Sequence, residues 1–192
     1  MQFGTISSIT TYFARHGKDN TEDTLNLAKK RAEELGIRSI LCATTFGETA
    51  AAAAKLFKGY RFIAVTHATG AREPNVQELE DKYRAQIESY GGVILTTTHA
   101  FGGVGRAVRR HFNTYEIDEI IANTLRVMGQ GFKVVCEIAL MAADAGLVRT
   151  DQEVIAIAGS AHGADTAVVL QPANAQDFFN LRVKEIICKP RL

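Results

Sequence analysis

No tryptophan occurs in the 192 residues, and proline and cysteine number only three each. Cys42, Cys136 and Cys188 stand far apart, with no CxxC pair among them. That scatter excludes a disulfide framework and a thiolate zinc site, and it points to buried, reduced thiols in an intracellular protein. Scarce proline, with 16 glycines that follow no period, excludes collagen-like and low-complexity sequence. Charge of one sign is missing too, since 22 Lys and Arg against 21 Asp and Glu leave a formal net charge of +1. Without a global basic field, neither nucleic acid nor an anionic membrane is expected as a partner. No basic segment leads into an apolar one at the N-terminus, so a signal peptide is not expected and the location implied is cytoplasmic. The longest apolar stretch, Val134 to Val148, is interrupted by Glu137 and Asp144 and is too short to cross a bilayer.

What is present is a chain that is 46% hydrophobic, enough to build a core without metal or disulfides. Its length predicts a single domain over residues 1–192. Apolar runs alternate with segments of helical period. Asn20 and Asp23 have the spacing of a cap, and the stripe Leu25, Ala28, Ala32 and Leu35 runs on to a stop at Gly36. Ser39–Ala43 and Arg61–Val65 read as strands buried on both faces, with an Ala-rich helix from Thr49 to Phe57 between them. Asn75 and Glu78 predict a second capped helix, its stripe Val76, Leu79, Tyr83, Ile87 and Tyr90 ending at Gly91 and Gly92. A third strand, Val93–Leu95, follows. Two or three helices fill Val104 to Leu147, separated near Gly129 and Gly131. Val154–Ala158, Thr166–Leu170 and Val183–Ile187 complete the strands, the first two close enough to form a hairpin at an antiparallel edge. The pattern predicts an α/β fold of three layers, α/β/α, around a mostly parallel mixed sheet.

In such sheets ligands bind beyond the carboxyl ends of the strands, where the strand order reverses. Four segments qualify: Thr44–Ala50, Thr66–Gly70, Thr96–Gly105 and Gly159–Gly163. Thr44, Thr45, Phe46, Gly47, Thr49, Thr66, His67, Thr97, Thr98, His99, Phe101, Gly102, Gly103, Gly159 and Ser160 are the candidate binding residues. Hydroxyls and glycines just before a helix start suit a phosphate, whose charge the free N–H groups attract. Thr49 and Thr44 serve equally well as a helix cap and a strand-end hydroxyl, and both readings stay open. Neither GxxxxGK[ST] nor GxGxxG occurs, which excludes a Walker site and a standard dinucleotide fold. Arg106, Arg109 and Arg110 share one helix face, either as a phosphate clamp or as a solvated surface. His67, His99 and His162 follow different strands without HxH or HxxxH spacing, so no metal is expected. His67 and His99 are the candidate general acids or bases, and Glu137 reads as a buried carboxylate that anchors a loop backbone. No acylating nucleophile constellation is visible in these segments.

Ile40–Ala50, followed by Tyr60–Thr66, resembles the C-terminal α/β domain of pyruvate kinases, where a strand enters a Thr-x-Ser-Gly-x-Ser/Thr-Ala loop. Asn20–Glu22, Val65–His67, Thr98–Ala100, Gly163–Ala167 and Lys189–Arg191 extend the likeness along the whole chain, toward prokaryotic proteins made of that domain alone. The resemblance implies the three-layer fold and, with no catalytic barrel, no pyruvate kinase activity. It implies a phosphate site at Thr44, Gly47 and Thr49, FMN as cofactor, and a regulatory role with homo-oligomeric contacts. Phe46 in place of the loop serine, and Glu48 where a basic or polar residue is usual, argue against a sugar bisphosphate. The function expected is binding of a phosphorylated small molecule such as FMN, with Phe46 or Phe101 stacking on its ring. The alternatives are an enzyme using His67 or His99 on a phosphorylated metabolite, and a regulatory module.

Overall fold

Val154–Ala158 is apolar at every position, and all five residues are buried. A strand so placed must lie inside a sheet covered on both faces. In the computed structural model, which describes residues 4–191, it does. In chain order the elements are β1 (Thr11–Phe13), α1 (Thr21–Leu35), β2 (Ser39–Ala43), α2 (Glu48–Leu56), β3 (Arg61–Val65), α3 (Asp81–Ser89) and β4 (Val93–Leu95). They continue with α4 (Val104–Phe112), α5 (Ile117–Arg126), α6 (Gln130–Asp144), β5 (Val154–Ala158), β6 (Thr166–Gln171) and β7 (Arg182–Pro190). The strands form one seven-stranded sheet in the order β1-β7-β6-β5-β2-β3-β4. β6 runs antiparallel to β5 and β7, and every other neighbouring pair is parallel.

Alternation along the strands builds two cores. Ile40, Cys42, Phe62, Ala64, Ile155 and Ile157 face one side, where Leu25, Ala28 and Ala32 of α1 and the alanines of α2 cover them. Leu41, Ile63, Val65, Val154, Ala156 and Ala158 face the other, beneath Val135, Ile138, Ala139 and Ala142 of α6. This is the three-layer α/β/α arrangement with a mostly parallel mixed sheet. Burying each of the large aliphatic side chains stabilises the fold by about 1.5–3 kcal/mol. Small residues on α2 and α6 let the helices lie close on the sheet. α4 buries none of its residues.

Four expectations need correction, and one strand was not expected at all. The hairpin β5–β6 forms, but β6 is interior, because β7 and β1 add to its far side. The short β1, held by pairing with Cys188–Pro190, carries no period for a sequence reading to detect. Asn20 does not cap α1; its amide donates to the carbonyls of Arg15 at 2.8 Å and Gly17 at 3.3 Å. No helix begins at Asn75, which sits at φ 65°, and α3 starts only at Asp81. The stretch before it is held open by side chains, with Gln77 donating to the His67 carbonyl at 3.0 Å and accepting from the Leu79 N–H at 3.0 Å. Gly131 lies within α6, and Gly129 alone precedes it.

The turn into α2 depends on Gly47. Its φ is +112°, and an added Cβ would land on Tyr83 Cβ and within 2.7 Å of Leu79 Cδ1. Gly47→Ala therefore combines backbone strain with a clash against a buried packing surface. The expected cost is about 2–4 kcal/mol, read as a lower urea midpoint with unchanged m-value.

Candidate functional site

β2, β3, β4 and β5 are parallel, so their carboxyl ends reach the same edge of the sheet. From β2 the chain moves outward to β3 and β4, then returns through α4, α5 and α6 to place β5 on the other side of β2. The order reverses there, and loops diverge. A cleft of about 370 Å³ opens at that point, lined by Thr44–Thr49, Thr66, His67, His99 and Gly159–Gly163. The first turns of α6 close one wall with Gln130, Lys133 and Glu137. The volume lies within the range of about 300–1,000 Å³ usual for small-molecule sites.

The cleft hydroxyls differ in availability. Thr44 Oγ1 accepts from the Gly47 N–H at 3.1 Å, so it shapes the turn into α2. Thr66 Oγ1 is 2.7 Å from Thr96 Oγ1 and donates to the His67 carbonyl at 2.9 Å. Thr45 Oγ1 faces His67 Nε2 at 3.5 Å. On the opposite edge of that imidazole, Nδ1 lies 2.7 Å from Glu78 Oε2, and the carboxylate's acceptor character puts the proton on Nδ1. Glu78 is 9% exposed in its side chain, and Arg72 Nε sits 3.0 Å from its other oxygen. Glu78, spaced as a helix cap, is instead the partner that orients His67.

His99 has the converse role. Its Nε2 accepts the Ala68 N–H at 3.2 Å, which ties two strand-end loops together and fixes the neutral tautomer. Burial holds the imidazole below its usual range, with His67, Lys133 and Arg106 acting the same way and Glu137 opposing. The rings of His67 and His99 are 5.3 Å apart.

Glu137 anchors a loop, as its place in an apolar helix suggests. Its Oε1 accepts the Phe101 N–H at 3.1 Å and its Oε2 binds the Lys133 ammonium, one turn back on α6. Both side chains of that pair are 5% exposed. Desolvation pushes Lys133 below the ordinary lysine range, against the pull of Glu137. The cleft thus carries Arg72, Arg106, Arg126 and Lys133 against the carboxylates of Glu48 and Glu137. Glu48 is itself paired with Lys18 at 3.0 Å.

Some candidates fall outside the cleft. Thr97, Thr98, Gly102 and Gly103 do not line it, although His99 of the same segment and Arg106 just beyond it do. Phe101 is 5% exposed and packs edge-on against Phe178 at 5.7 Å, so it belongs to the core. Phe46 does line the cleft at 36% exposure, with His162 stacked at 6.3 Å and the Arg72 guanidinium 5.7 Å from its ring centre. Of the arginine trio only Arg106 reaches the cleft, since Arg109 binds Glu119 at 2.7 Å. Arg72, Arg126, Gln130 and Lys133 join the lining without a motif to mark them. Cys42 is buried, and desolvation raises its thiol to about 12. Among the described residues no three His, Cys, Asp or Glu side chains come close enough to share a metal ion. No helix there is long and apolar enough to cross a membrane.

A mostly parallel mixed sheet between two helical layers, with a cleft where its strand order reverses, defines a three-layer α/β/α domain. Residues 22–170, most of the chain, match the family model for the pyruvate kinase alpha/beta domain, and the chain belongs to that family. Among solved structures it is similar to Cryptosporidium parvum pyruvate kinase in complex with ADP, at 16% identity and a TM-score of 0.37. That alignment covers 78% of this chain, which spans only 22% of that enzyme's length.

Removing one member of the buried pair should be severe. Lys133→Ala leaves Glu137 uncompensated and is expected to cost about 3–5 kcal/mol in urea unfolding. His99 contributes a pH dependence. Burial holds its folded imidazole below the ordinary histidine range, so its stabilisation is present above that range and is lost as pH falls through the folded value. The melting temperature should drop between about pH 7.5 and pH 5, and His99→Gln, which keeps an acceptor for Ala68 N–H, should flatten that drop.

Proposed function

We propose that the cleft binds a phosphorylated small molecule, its anionic group held beside Arg106 and Arg126 and its ring, as in FMN, laid on Phe46. The observation that carries this reading is the charge balance of the lining. Of the four cationic side chains at the cleft, Lys133 is matched by Glu137 and Arg72 by Glu78, and Glu48 is paired with Lys18, so Arg106 and Arg126 are left without a carboxylate partner among the described residues. Arg106 forms no ion pair among the described residues. Arg126 is directed by bonds to Gln130 and Asn123, the kind of support that orients a guanidinium toward a ligand. Glu48, whose charge would repel a phosphate, is drawn to Lys18 on the chain before α1. Phe46 offers an exposed ring at the cleft mouth.

A second reading has one observation in its favour. With Nδ1 donating to Glu78, the neutral His67 ring turns its Nε2 lone pair to the cleft, the arrangement of a general base. His99 Nε2, by contrast, accepts the Ala68 N–H.

Titration with FMN followed by flavin fluorescence tests the binding reading. Quenching is expected, and Arg106→Ala and Arg126→Ala should each weaken affinity about tenfold or more, the worth of a charge-assisted hydrogen bond. Phe46→Ala should weaken FMN while sparing inorganic phosphate measured by calorimetry. Absence of quenching rejects FMN, and absence of phosphate binding as well rejects the anion site.

A further inference from the structure

The geometry points to Thr45, His67 and Glu78 as a hydroxyl–imidazole–carboxylate relay, with Thr45 the nucleophile for acyl transfer from an anionic carboxylic ester. The substrate class rests on the reading of the cleft as an anion site; the relay rests on its own distances. Thr45 follows β2, His67 follows β3, and Glu78 lies in the stretch held open before α3, so three separate segments converge.

Each link has the orientation the chemistry needs. Glu78 accepts from Nδ1 at 2.7 Å, which leaves the Nε2 lone pair as the only basic position of the ring. That lone pair faces Thr45 Oγ1 at 3.5 Å, a separation of the kind that tightens when substrate displaces water. Thr44 and Thr66 are committed to other partners, so Thr45 alone among these three hydroxyls has a base in front of it. Glu78 is a positioning residue, nearly buried and braced by Arg72. The first turn of α2 begins at Glu48, just beyond Thr45, and its unpaired N–H groups bring partial positive charge to that rim for a developing oxyanion.

Thr45 Oγ1 forms a bond to the ester carbonyl carbon while its proton passes to His67 Nε2. The bond from that carbon to the alcohol oxygen breaks, and the departing oxygen takes the proton from Nε2. Water then attacks the acyl-threonine carbonyl carbon and gives one proton to Nε2; the bond from that carbon to Thr45 Oγ1 breaks, Oγ1 takes the proton back from Nε2, and the carboxylic acid departs. Arg106 and Arg126 would select esters whose far end carries a phosphate or carboxylate.

The test compares mono-4-nitrophenyl succinate with neutral 4-nitrophenyl acetate, and adds a fluorophosphonate probe located by peptide mass spectrometry. The wild-type protein should release nitrophenol from both esters, faster from the anionic one, and take up the probe on Thr45. Thr45→Val, which replaces a half-buried hydroxyl by a methyl of the same shape, should lose about 100-fold or more of both signals, and Thr45→Ser should retain them. Glu78→Gln should slow release and move the His67 ring out of its Nδ1–H tautomer, read from imidazole nitrogen shifts. Release and labelling at the wild-type rate in Thr45→Val, labelling at another residue, or no release from the wild type would each overturn the relay. Protein that binds FMN or phosphate without turning over either ester rejects the relay alone. Turnover without any phosphate binding rejects the anion site alone.

Discussion

A carboxylate buried between a helix and a loop must find its partners inside the protein, and Glu137 finds two. Lys133 neutralises it from the preceding turn of α6, and the Phe101 N–H satisfies its other oxygen. A pair of apolar residues would pack as well, but would leave that N–H orphaned in the core. The connection from β4 to α4 is thereby held against α6, and with it come Phe101 under Phe178, His99 against Ala68, and Arg106 at the cleft. The polar floor of the cleft and the packing of one helical layer are therefore one structure.

Strand order supplies the rest. Because β5 returns beside β2, the loops after β2 and β5 diverge, and the hydroxyl-rich turn of one faces the Gly-Ser turn of the other. Asp165 shapes the second turn, accepting from the N–H groups of Gly17 at 3.0 Å and Ser160 at 3.1 Å. The same carboxylate fixes the chain just before Lys18, the residue that engages Glu48. Membership of the pyruvate kinase alpha/beta family accords with this layout. The chemistry proposed for it comes from the side chains at the reversal.

Most of the layered architecture was legible because buried parallel strands advertise themselves as continuous apolar runs. Ser39–Ala43, Arg61–Val65 and Val154–Ala158 coincide with their strands, and Gly36 ends α1 in the left-handed conformation expected of it. Failures arose where side chains overrode local pattern. Asn75 and Glu78 have the spacing of a capping box, but Glu78 finds a histidine and an arginine across the loop, and the helix starts later. The cleft was legible as strand ends, and Thr45, Phe46, His67 and Gly159 line it. Arg72, Arg126 and Lys133 were not, because their convergence depends on which strands are neighbours. Thr97 and Thr98 do not line the cleft although their neighbour His99 does, a distinction within one loop that strand ends alone do not make.

α4 presents Val104 and Phe112 to solvent and buries no side chain, and the Arg109–Glu119 contact ties it to α5. An element so little rooted in the core opens at far lower free energy than the sheet beneath it. Arg106 rides on that helix. A phosphate bound as proposed would therefore act as a clasp between that helix and the sheet, drawing amide-exchange protection into α4.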